Sequence, residues 1–123
     1  MAKSIFITGA SSGIGAALAV EFARRGYAVA VAGRRVERLE ALAARLTELG
    51  AAAALPIELD VTDYPQIDAA LGRAFDAFGR LDVVVANAGV GHSLPAGRGK
   101  FDLLRQTIDT DLTAAIATIE YAL

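Results

Sequence analysis

Residues 8–15 read Thr-Gly-Ala-Ser-Ser-Gly-Ile-Gly and connect a short apolar run to a helical pattern. The apolar run, Ile5-Phe6-Ile7, is typical of a buried strand. A glycine-rich turn between a strand and a helix N-terminus suits a phosphate group, because free N–H groups of the first helical turn face the anion. We expect Gly9 to permit the tight turn, Gly13 to let a pyrophosphate approach, and Gly15 to let the helix pack against the strand.

Apolar runs of strand length alternate along the chain with segments of helical periodicity. The predicted strands are Ser4–Thr8, Tyr27–Ala32, Ala52–Leu59 and Leu81–Ala86. The predicted helices are Ile14–Arg25, Val36–Leu49, Tyr64–Phe78 and Phe101–Leu123, with a glycine-rich loop, Gly89 to Gly99, before the last. This alternation implies parallel strands joined by right-handed crossovers, and nearly continuous apolar strands imply a sheet covered on both faces.

The first three helices carry apolar residues at helical spacing, which predicts the side that packs on the sheet. These residues are Ile14, Leu18 and Phe22 in the first helix, Leu39, Leu42, Leu46 and Leu49 in the second, and Ile67, Leu71, Phe75 and Phe78 in the third. Pro56 lies in the third strand and favours an edge position, because proline lacks an N–H for the ladder.

Composition indicates one compact domain over residues 1–123, with 54% hydrophobic residues and a net charge of -2. The small net charge gives no electrostatic reason to expect nucleic acid or an anionic membrane as a partner. The chain has no cysteine and one histidine, His92, so a thiolate or histidine-rich metal site is not expected. No apolar run of membrane-spanning length and no secretory signal is present, and we expect a cytoplasmic protein.

A second binding determinant follows the second predicted strand, in Ala32-Gly33-Arg34-Arg35. In a dinucleotide-binding fold this position lies beside the adenosine ribose, where a carboxylate accepts from the 2′-hydroxyl of NAD and an arginine accommodates the 2′-phosphate of NADP. Here Gly33 is followed by two arginines, which favours NADP over NAD. Arg34 could pair with the phosphate or stack on adenine, and a solvated basic helix start is the alternative reading.

Two more polar segments follow predicted strands, Asp60-Val61 after the third and Asn87-Ala88-Gly89 after the fourth. Together with Thr8 they converge at the carboxyl edge of the sheet, where open α/β sheets bind ligands. The order of these elements, from the TGxxxGxG turn to the Asn-Ala-Gly motif, resembles the short-chain dehydrogenase/reductase family. The resemblance covers essentially the whole chain.

This resemblance implies a Rossmann-type doubly wound parallel sheet, here with four strands in the order 3-2-1-4. It implies hydride transfer between NADP and a small carbonyl or alcohol substrate. The residues expected to contact the dinucleotide are Gly9, Ser11, Ser12, Gly13, Ile14, Gly15, Arg34, Arg35, Asp60, Val61, Asn87, Ala88 and Gly89. Asp60 would accept from the adenine amino group while Val61 contacts the ring; alternatively, Asp60 belongs to the start of the next helix, which Thr62 or Asp63 would cap.

The chain departs from the family pattern in its catalytic residues. The family uses a Tyr-x-x-x-Lys pair, but the only lysines here are Lys3 and Lys100 and neither has a tyrosine four residues before it. Asp111 stands where the family usually has a catalytic asparagine, but it could equally be a partly exposed carboxylate on a helix with no role in catalysis. His92 and Ser93 are interpreted as ordinary loop residues. We therefore expect a truncated or cleaved cofactor-binding half that is inactive alone. We expect it either to self-associate through the fourth strand and the last helix or to be found with its missing half still bound. The alternatives are a non-catalytic dinucleotide-binding or interaction module and a proteolytic segment.

Overall fold

The computed structural model describes residues 2–11, 13–88 and 116. In chain order the elements are β1 (Ser4–Thr8), α1 (Gly13–Arg24), β2 (Ala28–Gly33), α2 (Val36–Glu48), β3 (Ala53–Glu58), α3 (Tyr64–Phe78) and β4 (Val83–Val85). Every element predicted before residue 89 is confirmed, with bounds that shift by two residues at most. The loop and helix predicted beyond that point lie outside the described residues, apart from Ile116, which is helical and exposed.

The four strands form one parallel sheet in the order β3-β2-β1-β4, as predicted. Phe6 in β1 lies opposite Ala30 of β2 on one side and Val84 of β4 on the other. The chain builds outward from β1 to β3 and then returns to the far side of β1. This reversal opens a crevice between β1 and β4 at the carboxyl ends of the strands, where doubly wound sheets bind ligands. Pro56 lies in β3, at the predicted edge of the sheet.

Each face of the sheet carries its own hydrophobic cluster, because successive side chains of a strand point to opposite faces. Ile5 and Ile7 pack with residues of α1 and α2 in one cluster, and Phe6 packs with residues of α3 in the other. All five residues of β1 are buried. The predicted coverage of both faces is therefore correct, and β1 lies between β2 and β4 in the interior of the described sheet.

The prediction of which residues of α1 face the sheet was wrong at Ile14, which is 71% exposed. The buried line is instead Gly15, Ala19 and Ala23, one residue further along. These small residues let the helix backbone lie close to the sheet, and Leu18 and Phe22 pack at the margin of the same cluster. In the first turn of α1, Gly15 therefore packs against the rest of the protein, and the Ile14 side chain projects outward.

The predicted inward lines of α2 and α3 are confirmed in part. In α2, Leu39 and Leu46 are fully buried, whereas Leu42 and Leu49 pack at the margin. In α3 the buried residues are Ile67, Ala70, Leu71 and Ala74. Phe75 was wrongly predicted to point inward and is 53% exposed, because the small Ala74 occupies the sheet-facing position beside it.

Candidate functional site

The β1–α1 turn lies across the carboxyl ends of three strands and is tied to two of them. The Ala10 amide donates to the Ala32 carbonyl oxygen at 3.1 Å, which fastens the turn to β2. The Asn87 side-chain amide donates to the Gly9 carbonyl oxygen at 3.3 Å, which fastens it to the segment after β4. The turn therefore has a fixed position over the crevice between β1 and β4.

Two glycines of the turn are required by close backbone contacts. Gly9 has a φ of +64°, and a Cβ added there would lie 2.7 Å from the Ala88 Cα. A Cβ on Gly15 would collide with the Gly9 carbonyl oxygen and lie 2.8 Å from the Asn87 Nδ2. Because no side chain fits at either position, the start of α1 can pack directly on the turn and on the segment after β4.

Gly13 has a different environment from these two glycines. It has a φ of +63°, and no atom of residues 2–11, 13–88 or 116 lies within 4 Å of an added Cβ, so among these residues its open side has room for a ligand. It also begins α1, whose first turn contains no acidic residue. Free N–H groups at a helix N-terminus and an open glycine backbone together fit a pyrophosphate. The exposed Ile14 lies beside this space.

Ser11 connects the turn to the end of β2. A Cβ added to Gly33 would lie 3.4 Å from the Ser11 Oγ and 3.7 Å from the Leu39 Cδ2. The serine side chain therefore lies over the last residue of β2. Ser12, the next predicted contact, lies outside the described residues.

Thr8 ties β1 to the Asn-Ala-Gly motif, a role that the sequence analysis missed. Its hydroxyl oxygen accepts from the backbone amides of Asn87, at 2.9 Å, and Ala88, at 3.1 Å. The same hydroxyl donates to the Val85 carbonyl oxygen at 3.4 Å, and Thr8 is 1% exposed. A hydroxyl residue at the end of an otherwise apolar strand was the signal available in the sequence.

Arg34 and Asp60, predicted as separate cofactor contacts, lie together. Arg34 Nη2 donates to Asp60 Oδ1 at 3.1 Å, and the two side chains are 50% and 44% exposed. The same oxygen accepts from the Thr62 hydroxyl at 2.6 Å and the Thr62 amide at 3.0 Å. The Thr62 hydroxyl is the largest cause of a lowered Asp60 pKa; partial burial opposes it, and the Thr62 amide and Arg34 add to it. The carboxylate is therefore ionised at neutral pH.

A cleft of about 450 Å³ surrounds this ion pair, lined by Arg34, Glu58, Leu59, Asp60 and Gln66. The Leu59 amide donates to the Gly33 carbonyl oxygen at 2.8 Å, so the ends of β2 and β3 remain joined below the cleft. Val61 is 6% exposed and packs with the α3 cluster, so its side chain faces the core rather than the cleft. Arg35 is exposed and occupies the N-cap position of α2.

Gln66 braces the loop that carries Asp60. Its Oε1 accepts from the Asp60 amide at 3.2 Å, and its Nε2 donates to Asp63 Oδ2 at 2.7 Å. Of the two predicted caps of α3, Asp63 stands at the N-cap position but forms no side-chain cap bond. Thr62 instead directs its hydroxyl to Asp60. This loop is organised around the ion pair, a detail that capping rules did not predict.

Other predicted residues lie beyond the described ranges, namely Gly89, His92, Ser93 and Asp111. Within residues 2–11, 13–88 and 116, no group of three or more His, Cys, Asp or Glu side chains could hold a metal ion. In that same part of the chain, no helix is long and apolar enough to cross a membrane.

Strand order, crossovers and the glycine turn define a Rossmann-type α/β protein. The family model described as short chain dehydrogenase matches residues 3–123, and the chain belongs to that family.

Relatives support the same assignment. An uncharacterized oxidoreductase of Mycobacterium tuberculosis is 39% identical over 122 residues, and one of Myxococcus xanthus is 46% identical over 124 residues. These matches cover 98% of this chain and 48% and 47% of the relatives, so the chain spans about half their length. Among solved structures, an alcohol dehydrogenase from the archaeon Thermococcus sibiricus, complexed with 5-hydroxy-NADP, matches with a TM-score of 0.93 and 35% identity. That match covers 98% of this chain and 52% of the archaeal one.

Proposed function

We propose that this chain is an NADP-binding domain of an oxidoreductase that interconverts a carbonyl and an alcohol. Family membership supports the reaction class, and the 5-hydroxy-NADP complex of a similar alcohol dehydrogenase supports the cofactor class. When bound, NADP supplies or accepts the hydride. The described residues supply the site that binds and orients it.

The residues at the end of β2 support the preference for NADP over NAD. Gly33 offers no carboxylate for the 2′-hydroxyl of NAD, and Arg34 beside it is half exposed on the cleft. Among the described residues, Arg34 forms one side-chain hydrogen bond, to Asp60, out of the five N–H donors of a guanidinium. Its remaining donors suit the planar, bidentate recognition of a phosphate.

The other end of the dinucleotide follows from the geometry of the turn. The open side of Gly13 and the first amides of α1 would hold the pyrophosphate, between Ser11 and the exposed Ile14. Thr8 and Asn87 hold the neighbouring backbone in place, so the nicotinamide half would extend into the crevice between β1 and β4. The reactive ring would then lie on the side of the site where the chain continues after β4.

The proposal is tested by titrating the purified protein with NADP⁺ and NAD⁺ and comparing the dissociation constants. A charge-assisted contact contributes about 1.5–3 kcal/mol, so NADP⁺ should bind about 10- to 150-fold more tightly. Arg34→Ala should remove most of that ratio. Arg38→Ala is the matched control, because Arg38 is an exposed arginine of α2 outside the lining of the cleft.

The result that contradicts the proposal is equal binding of NADP⁺ and NAD⁺ by the unmodified protein. A preference for NADP⁺ that survives Arg34→Ala would retain the cofactor but reject Arg34 as its determinant. An equal loss in the Arg38→Ala variant would show that general positive charge, rather than a directed contact, produces the preference.

A further inference from the structure

One carboxylate oxygen at the cleft accepts three hydrogen bonds from two residues. Asp60 Oδ1 lies 2.6 Å from the Thr62 hydroxyl, 3.0 Å from the Thr62 amide and 3.1 Å from Arg34 Nη2. Two of the three donors therefore belong to Thr62, and both are local to the loop. The third donor is the arginine that the proposed function assigns to the 2′-phosphate.

Arg34 needs such an anchor because its own surroundings hold it weakly. Its side chain is half exposed, and an exposed ion pair between two freely moving side chains contributes little by itself. A long side chain that is ordered only when the ligand binds lowers the affinity by the entropy of that ordering. A carboxylate fixed beforehand by two other donors reduces this loss.

We propose that Thr62 is a positioning residue for cofactor choice: it fixes the Asp60 carboxylate, which holds Arg34 where the 2′-phosphate of the cofactor binds. The inference rests on the proposed NADP site. Asp60 binds one donor of the guanidinium and leaves the others for the phosphate. Thr62 thus acts on the phosphate through two intervening side chains.

Thr62 provides a cleaner test than Asp60. Replacing Asp60 removes a negative charge near the phosphate as well as the anchor, and these two changes have opposite effects on NADP binding. Replacing the Thr62 hydroxyl leaves the carboxylate and its charge in place. Loss of this hydroxyl removes the hydrogen bond that does most to lower the Asp60 pKa. A carboxyl group with the ordinary pKa of 3.8 is still ionised at pH 7.5.

The experiment measures dissociation constants for NADP⁺ and NAD⁺ on the complete protein at pH 7.5 for four variants. Thr62→Val should reduce the preference for NADP⁺ by about two- to tenfold, the effect of ordering one long side chain. Thr62→Ala, which removes the same hydroxyl without a new branch, should act likewise. Thr62→Ser retains the hydroxyl and should restore the ratio to within about twofold. Thr47→Val is the matched control, because the Thr47 hydroxyl bonds to Ala43 O within α2.

The ratio of the two constants separates positioning from a general structural effect. Both cofactors share the adenine, so a distorted loop weakens both and leaves the ratio unchanged. In an Arg34→Ala background, Thr62→Val should no longer alter the ratio, because the side chain that it positions is gone.

Two outcomes overturn the inference while the proposed function stands, and in both the unmodified protein prefers NADP⁺. In the first, Thr62→Val and Thr62→Ala leave the ratio of the two dissociation constants unchanged. In the second, either variant increases the preference for NADP⁺. An unmodified protein without NADP⁺ preference overturns both the inference and the cofactor assignment on which it rests.

Discussion

Replacing Gly15 by alanine tests the packing of the glycine turn. An added Cβ would collide with the Gly9 carbonyl oxygen and lie 2.9 Å from the Ala10 Cα. Both are backbone atoms of the turn, which is itself fastened to Ala32 and Asn87. The turn cannot move away without breaking one of these bonds or lifting α1 from the sheet.

The expected loss of stability follows from two opposing effects. Overpacking a filled site costs about 1–3 kcal/mol, whereas replacing a helical glycine by alanine gains about 0.5–1 kcal/mol. Because the clash is with backbone atoms, we expect the upper part of the overpacking cost, about 2–3 kcal/mol. The variant should therefore lose about 1–2.5 kcal/mol, a decrease in Tm of roughly 4–10 °C for a domain of this size. Cofactor affinity should fall as well, because the displaced turn carries the amides that face the pyrophosphate.

Thermal unfolding followed by circular dichroism, together with a cofactor titration, measures both effects. Gly72→Ala is the matched control: Gly72 lies inside α3, and a Cβ there meets nothing within 4 Å in the part of the chain that the structure describes. It should gain about 0.5–1 kcal/mol and leave cofactor binding unchanged. A Gly15→Ala variant that is as stable as the parent and binds the cofactor equally well would show that the turn accommodates the added Cβ without cost.

Two further predictions concern the crevice and the chemistry. Thr8→Val should destabilise the protein by about 1–3 kcal/mol and weaken cofactor binding, because the amides of Asn87 and Ala88 lose their acceptor. Thr8→Ser should retain both stability and cofactor binding in the same assays. Equal losses in the two variants would reject the hydroxyl as the cause. The 123-residue polypeptide should not oxidise NADPH with a ketone or aldehyde, because its sequence contains no Tyr-x-x-x-Lys motif to place a phenol beside an ammonium for protonating a carbonyl oxygen. Turnover by mass-verified polypeptide would contradict this.

The fold could be predicted because its signals are local. Apolar runs such as Ile5-Phe6-Ile7 specify buried strands, and alternation with helical periodicity leaves few topologies. Residue size changed which residues of the helices face the sheet. Gly15 and Ala74 let the helix backbones approach the sheet more closely, so Ile14 and Phe75 are exposed. Hydrophobic spacing alone does not measure how near a helix backbone approaches the sheet.

The site could be predicted in outline but not in its contacts. The positions of Gly13 and Arg34 follow from the motif and from the strand that precedes each. The pairing of Arg34 with Asp60 joins residues 26 positions apart and depends on the β2–β3 register, in which Gly33 lies opposite Glu58. The bonds of Thr8 likewise depend on β4 returning beside β1. Such contacts arise from tertiary register, which no local pattern encodes.

A crystal structure of the complete protein with NADP⁺ tests the central claim most directly. We expect the pyrophosphate against Gly13 and the first amides of α1. We also expect the 2′-phosphate within hydrogen-bond distance of Arg34, while Asp60 remains bonded to Thr62. A 2′-phosphate bound by other residues, or a dinucleotide away from the carboxyl edge of the sheet, would contradict it.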